Sequence, residues 1–367
     1  MGNNKKKHNN KIKASGGKPS SSNNKASASS KDDAASTNRP KNHLIMDATS
    51  PYTFTYTQYG SKKSITVNQT PNEDTWPGGA LWDIGVLMAK LLVSINCPTY
   101  SVSIPRLIAP GIWGPPTTWK DKRILELGCG VGLTGLVAAS LGARCVLLTD
   151  LEVVVNKVTL PNVELVVGSG SGGISSASGS GGGAGGKKKG AKGINVAALP
   201  LCWGNEDDEN AAKKVLDEMA PPQKLDSLVS AKKKGGKKKV QQQQQHPSSP
   251  NDQQKQENNS IAASSLREGI PDILLIGDVA YQHKPGAPSH FDVLLSTILN
   301  ITDEHTVVMF GTRMRMAASN DLLDMFYLHF EEIVTPPIEA HEVDDLFSSE
   351  ALGRKHNITI HIFRRKK

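Results

Sequence analysis

Apolar residues switch between two periods along the chain, and the switching predicts its elements. Leu81, Ile84, Leu87, Met88 and Leu91 recur at helical spacing over Leu81–Val93, downstream of Gly79, and predict an amphipathic helix ahead of a sheet. Arg123–Leu127 is a short apolar run read as a strand, and Leu133–Leu141 is its helix, ended by Gly142. Cys145–Thr149 is a second strand closed by Asp150; helical material follows over Glu152–Val158 and Asn162–Val167. Asn195–Leu201 is the third strand, with a short helix at Ala211–Met219. Asp272–Ile276 is a continuous apolar run, as a strand buried on both faces requires. A helix near Phe291–Leu299, a strand at Thr306–Phe310, a helix at Asn320–Phe330 and closing strands near Glu332–Thr335 and Asn357–Phe363 complete the series. Strands alternating with helices predict an α/β fold: a doubly wound, mainly parallel seven-stranded sheet with helices on both faces.

Composition removes much of the 367-residue length from that fold. Met1–His43 is Lys, Asn, Ser and Ala with almost no apolar residue, too little to offset the entropy of ordering, and is expected to be a disordered basic tail. Residues 44–367 then form the folded domain. It is interrupted by two low-complexity inserts expected to be flexible: 168–193, rich in Gly and Ser, and 204–269, which joins lysine triplets to the run Gln241–Gln245. About 230 residues remain, enough for one well-buried domain. The first insert joins a helix to strand three and the second directly precedes strand four. Both are expected at the amino ends of the strands, opposite any site at the carboxyl ends.

Charge sorts with this division. Through Leu44 the tail carries ten Lys/Arg against two Asp/Glu, which equals the whole formal charge of +8; the glycine-rich insert is also basic, so the core is net negative. Lysine tracts without interleaved aromatics offer only nonspecific anionic contacts, whereas an acidic core suits a basic substrate. Cys97, Cys129, Cys145 and Cys202 have no C-x-x-C spacing and no histidine cluster has metal-ligand spacing, so buried thiols and no metal are expected. The most apolar stretch, Leu81–Ile95, is interrupted by Asp83 and Lys90, and no secretory core follows Met1. These features predict a monomer of the cytoplasm or nucleus with no membrane segment.

The chemistry concentrates at Arg123–Leu133, R-I-L-E-L-G-C-G-V-G-L. There a strand runs into a glycine turn with Glu126 two positions before Gly128, and Asp150 follows Gly130 by twenty residues. In an α/β sheet both features fall at carboxyl ends of neighbouring strands, where glycines admit a ligand to the backbone and a carboxylate takes two ribose hydroxyls. A dinucleotide fingerprint would place its third glycine where this chain has Leu133. The spacing here is G-x-G-x-G behind an acid, which resembles motif I of the seven-strand methyltransferases that use S-adenosylmethionine.

Asp278-Val279-Ala280-Tyr281 stands immediately beyond strand four, at the switch region where open α/β sheets bind ligands. With L-E-L-G-C-G, T-D-L, N-V-E-L, L-C-W-G and G-D-V-A-Y in order, the core from Leu81 to Phe363 resembles the protein-lysine methyltransferase-like family of the Rossmann-like, seven-strand class. The tail and inserts have no part in the match. The resemblance implies S-adenosylmethionine as cofactor, with Trp82 lining its pocket, Gly128, Cys129 and Gly130 at its methionine part and Asp150 on the ribose. Trp203 would cover the adenine, Gly277 lie against it, and Glu126 and Leu151 complete the cofactor positions. It also implies a lysine of a protein substrate, met by Asp278 and Tyr281 as the catalytic pair. Trp82 reads equally as a core aromatic, and a strand-end residue is the lesser reading of Trp203.

Cys202 stands where the family often has Asp, and Val166 where it has a second asparagine. Val279-Ala280 replaces the two prolines found at this turn in enzymes that methylate adenine or glutamine. His283 reads as a solvated loop residue in preference to a proton relay, and Arg313 and Arg315 as partners of Asp321 and Asp324 in preference to groups that steer a substrate. Two alternatives stay open from sequence: a methyltransferase acting on a small-molecule amine, and a non-catalytic nucleic-acid-binding or scaffold protein on the same fold.

Overall fold

The computed structural model describes residues 48–97, 112–113, 119–169, 194–220, 267–279, 290–313, 317–344 and 358–367. The tail, His283, Arg315 and the low-complexity stretches 170–193 and 221–266 lie outside the described residues.

The chain first forms a hairpin of β1 (Tyr52–Gln58) and β2 (Ser61–Val67), paired antiparallel. Its two-residue turn has positive φ at Tyr59 (49°) and Gly60 (76°), the signs a tight hairpin turn needs to match strand twist. Sequence patterning places no element here, although Tyr52, Phe54 and Tyr56 alternate inward with polar residues between them. The strands are short and one-sided, so their apolar content is low.

The main sheet contains β3 (Arg123–Leu127), β4 (Cys145–Asp150), β5 (Val196–Pro200), β6 (Ile273–Gly277), β7 (Val307–Arg313), β8 (Phe330–Glu332) and β10 (Ile358–Arg365), in the order β5-β4-β3-β6-β7-β10-β8. A two-residue strand, β9 (Ile338–Glu339), pairs with β10 off this path. The five strands from β5 to β7 are parallel, and β10 enters antiparallel between β7 and β8. Counting from β3 as the first, the order is 3-2-1-4-5-7-6, so chain direction across the sheet reverses between β3 and β6. Ligands of open α/β sheets bind beyond the carboxyl ends at such a reversal.

Each central strand is largely apolar because both faces are covered, and β6 (ILLIG) is so throughout. Ile273 and Leu275 of β6 pack on the layer that holds α1 (Asp83–Asn96), α2 (Leu133–Ser140) and the hairpin. Leu274 and Ile276 pack on the opposite layer, which holds α4 (Glu206–Met219), α5 (Phe291–Ile301) and α6 (Ala317–His329).

Three boundaries differ from the sequence reading. Glu152–Val154, a π-helical turn at Val155–Thr159 and α3 (Leu160–Ser169) run on as one helical stretch, so residue 168 still belongs to a helix. The stretch assigned to the second insert from residue 204 contains α4, which begins five residues before the expected helix at 211. Asn205 caps it, its side chain accepting the Asp207 and Asp208 N–H groups. Ala212 and Leu216 are fully buried, and Asp217 pairs at 3.0 Å with Arg123, itself buried at the start of β3. The helix is polar on most of its surface, which hides its core face from a composition argument. The closing strand expected at Glu332–Thr335 lies earlier, at Phe330–Glu332, where Phe330 is buried against α6.

Candidate active site

The turn after β3 is built by glycines for two separate reasons. Gly128, Gly130 and Gly132 have φ of 64°, 53° and 80°, left-handed conformations that side chains with a Cβ resist. The turn is also crowded: a Cβ on Gly130 would meet the Gly78 carbonyl oxygen at 2.9 Å. The close helix-to-strand approach is made by Gly135, where a Cβ would meet Leu148 Cδ2 at 2.2 Å and Glu126 Oε2 at 2.7 Å. Dinucleotide spacing would put that glycine at position 133; this chain has it two residues later, where the sequence motif does not look for it.

Glu126 is buried beneath the turn and its Oε2 accepts the Gly135 N–H at 2.8 Å, giving α2 an acidic cap supplied from a neighbouring strand. Burial pushes its carboxyl up to about 8, against the Gly135 N–H and Thr134, which favour the ionised form, and with the Asp150 charge raising it further. Asp150 ends β4 beside the turn. Its Oδ2 accepts the Gly130 N–H at 2.8 Å and its Oδ1 the Leu151 N–H at 2.7 Å, which fixes the plane of the carboxylate. Burial raises the Asp150 pKa, opposed by these two donors. A carboxylate offers about four lone-pair sites, so two remain for a pair of hydroxyls. Cys129 is buried, its thiol pushed up by burial, and its backbone N–H donates to the Thr149 carbonyl.

These residues line a cavity of about 410 Å³ at the carboxyl ends of β3, β4 and β6, a size typical of small-molecule sites. Glu126, Gly128, Cys129 and Gly130 form one side, with Asp150 and the exposed Leu151 next to them. Trp203, from the link after β5, closes another wall; its Cζ2 lies 3.7 Å from where a Gly128 Cβ would be. Trp82 reaches the cavity from the start of α1, its Nε1–H donating to the Pro77 carbonyl at 3.2 Å and its ring 5.7 Å from that of Trp76. Gly277 and Asp278 enter from the end of β6. A Cβ on Gly277 would lie 3.2 Å from Met88 Sδ, so this glycine also lets α1 cross the sheet closely. The tertiary structure thus brings ten of the eleven expected site residues to one pocket; the eleventh, Tyr281, lies outside the described residues.

Asp278 has a φ of 53° and donates its backbone N–H to the Gly311 carbonyl at 3.0 Å. A non-glycine residue in this region is uncommon, though aspartate tolerates it better than most, and such conformations concentrate at functional sites. Arg313, at the end of β7, pairs with buried Asp83 of α1 rather than with Asp321 or Asp324. A charge on β7 reaching the opposite helical layer is a tertiary pairing that sequence proximity does not reveal.

Several residues that shape the pocket carry no motif in the sequence. The segment Asp74–Gly78 forms part of its wall, with Asp74 paired at 2.7 Å to Lys157 in an exposed salt bridge that holds its carboxyl below the usual range. Thr159 donates its hydroxyl to the Gly130 carbonyl at 2.7 Å. Asn162, fully buried, donates to the Val131 and Asn68 carbonyls at 3.0 Å each and accepts the Asn68 N–H at 2.7 Å, so one side chain joins the glycine turn to the hairpin. The available signal was a polar residue on the apolar side of a helix. Among the described residues no group of three His, Cys, Asp or Glu side chains has metal-site geometry, and no helix is long and apolar enough to cross a membrane.

The chain matches the model of a family described as lysine methyltransferase over residues 61–174, which spans the hairpin's second strand, α1, the glycine turn and Asp150. No curated protein matches it. Among solved structures it is similar to a magnesium protoporphyrin IX methyltransferase from Synechocystis with bound S-adenosylhomocysteine, at 12% identity, TM-score 0.31, 77% of this chain and 86% of that one. It is also similar to a putative S-adenosylmethionine-dependent methyltransferase from Streptococcus mutans, at 10% identity, TM-score 0.36, 85% of this chain and 55% of that one. A third is a putative RNA methyltransferase from Pyrococcus horikoshii, at 11% identity, TM-score 0.32, 74% and 98%. Superpositions this loose carry no weight for what this chain acts on.

The pocket itself fits the cofactor: glycines floor it where a bound molecule would lie against backbone, a carboxylate fixed by two backbone donors has acceptor sites left for a pair of ribose hydroxyls, and indoles wall it. Over residues 61–174 the chain is similar to the lysine methyltransferase family, and its mainly parallel sheet opens at the carboxyl ends into a pocket whose residues would hold S-adenosylmethionine.

Proposed function

We propose that the chain methylates a lysine side chain of a protein substrate. The observation that carries this reading is Asp278, held at positive φ at the carboxyl end of β6 and lining the same cavity as the Gly128–Gly130 turn. The lysine description of the matched family supports it.

S-adenosylmethionine would supply an electrophilic methyl group on a sulfonium; the protein must supply a neutral amine in line with it. An unperturbed lysine has a pKa near ~10.4, so the acceptor has to be desolvated and aligned at roughly 3–3.5 Å. The walls of the cavity are largely apolar and indole-rich, with Trp76, Trp82 and Trp203 among them, and burial against them lowers the pKa of an amine. An ionised Asp278 raises that pKa, so its role is to orient the amine by accepting N–H hydrogen bonds, with proton loss to water. Asp150 holds the ribose, Trp203 the adenine side and the glycine turn the methionine end. Tyr281 shapes the acceptor slot in this reading.

The test is methylation of a whole-cell lysate by the purified chain with radiolabelled S-adenosylmethionine, followed by protease or RNase and then mass spectrometry. Protease-sensitive label on a lysine is expected. Label on RNA, on a small molecule, or on arginine or histidine would overturn the lysine assignment.

A further inference from the structure

Trp203 belongs to the five-residue link Leu201–Asn205 between β5 and α4, outside any strand or helix, yet it forms a wall of the cofactor pocket. Its place is set by its neighbours. Leu201 donates its N–H to the Asp150 carbonyl at 2.8 Å, fixing the base of the link. Cys202 donates its N–H to Asp208 Oδ2 at 2.9 Å, and Gly204 donates its N–H to Thr297 Oγ1 at 2.7 Å. The peptide that follows Trp203 is therefore held by a side chain of α5, and the peptide that precedes Cys202 by a side chain of α4.

Thr297 is an unusual residue for its position. It is fully buried on the apolar face of α5, with Leu294, Ile298 and Ile301 around it, where a hydroxyl is kept only if it is hydrogen-bonded. One turn further, on the same face, Asn300 donates to Glu209 Oε2 at 3.0 Å, so α5 grips the link and the first turn of α4 together. The link lies against α5 at a separation only glycine permits. Gly204 has a φ of 75°, and a Cβ there would meet Val293 Cγ1 at 2.6 Å. His290, Phe291 and Val293 of the same helical end also line the pocket.

We propose that Thr297 is a positioning residue for Trp203, holding the indole over the Gly128 turn through the Gly204 peptide, with Asp208 as the second anchor. The proposal rests on the S-adenosylmethionine site described above. Without the Thr297 acceptor the Gly204 N–H loses its anchor to the buried face of α5, and the link, exposed at Gly204, shifts outward to bond water, taking the indole off the turn.

Titration calorimetry with S-adenosylhomocysteine on the full chain tests it, alongside thermal melting. Thr297→Val keeps the shape and removes the acceptor; the dissociation constant is expected to rise roughly tenfold, whereas Thr297→Ser stays within about threefold of wild type. In a Trp203→Ala background, Thr297→Val is expected to change affinity no further. If Thr297→Val lowers the melting temperature but leaves affinity intact, or weakens binding equally with and without Trp203, the positioning role is overturned. Should Thr297→Val not fold, Asp208→Ala reads the other anchor, and the same Trp203-dependent loss is expected; unchanged affinity there overturns the proposal. Failure of the wild-type chain to bind S-adenosylhomocysteine overturns the cofactor site itself, a result separable from all of these.

Discussion

Replacing Asp150 by alanine is expected to weaken the binding of S-adenosylmethionine and of its demethylated product roughly ten- to a hundredfold. The carboxylate has two duties in the structure. Its Oδ2 and Oδ1 hold the Gly130 and Leu151 N–H groups at 2.8 and 2.7 Å, and in the proposed site its remaining lone pairs accept the two ribose hydroxyls. A hydrogen bond to a charged group contributes ~1.5–3 kcal/mol. Two such bonds to ribose would exceed the forecast loss, but Asp150 is only partly shielded from solvent, and water entering the mutant site re-satisfies part of what is removed. A net loss of ~1.5–3 kcal/mol corresponds to the stated range at about 1.4 kcal/mol per factor of ten. Release of the Gly130 N–H also loosens the turn, so Asp150→Asn, which keeps one acceptor oxygen, is expected between wild type and alanine. Titration calorimetry with S-adenosylhomocysteine, on proteins whose melting curves show them folded, measures this. Equal affinities for wild type and Asp150→Ala would refute the ribose assignment.

Asp278→Asn is expected to leave cofactor affinity intact and to lower methyl transfer about tenfold to a thousandfold, a loss confined to positioning; undiminished turnover in a radiolabel assay would remove that role. Glu126 has a folded-state pKa raised from 4.5 to about 8, so the folded chain keeps a proton that the unfolded chain releases. Its contribution to stability is fully present below 4.5, falls as pH rises, and is lost through about 8. Wild-type melting temperature should therefore decline across that window more steeply than that of Glu126→Gln, and parallel curves would contradict the buried, protonated carboxyl. Gly135→Ala forces a methyl into Leu148 and Glu126 and is expected to cost about 1–3 kcal/mol in denaturant unfolding, an effect that an unchanged midpoint would disprove. Replacing 170–193 and 221–266 by short Gly/Ser links should leave the melting temperature nearly unchanged, because loop-closure entropy varies slowly with length. Extending the second deletion back through α4 should destabilise the chain, since it removes Ala212, Leu216 and the Arg123–Asp217 pair; tolerance of it would place α4 outside the core.

What the sequence by itself determined is local. A strand that must be buried on both faces reads as an uninterrupted apolar run, and a turn that needs left-handed backbone reads as glycine. Arg123–Leu133, Cys145–Asp150 and Ile273–Asp278 are therefore legible from the order of residues alone, along with the carboxylates at their ends. The hairpin at Tyr52–Val67 is not, because its apolar residues are few and its stability comes from packing on α2 and α3. Nor is the full extent of α4, whose mostly polar surface resembles the low-complexity stretch that follows it. The strand order belongs to tertiary structure alone: nothing near Ile358–Arg365 says that the last strand enters antiparallel between β7 and β8. So does the fixing of the site. Gly130 is held by Asp150 and Thr159, Val131 by Asn162, Gly204 by Thr297, and Asp83 by Arg313, across separations of 20 to 230 residues. Local sequence specifies which backbone conformations are permitted, whereas these bonds exist only once distant elements pack and exclude water, and they decide where each permitted turn is held.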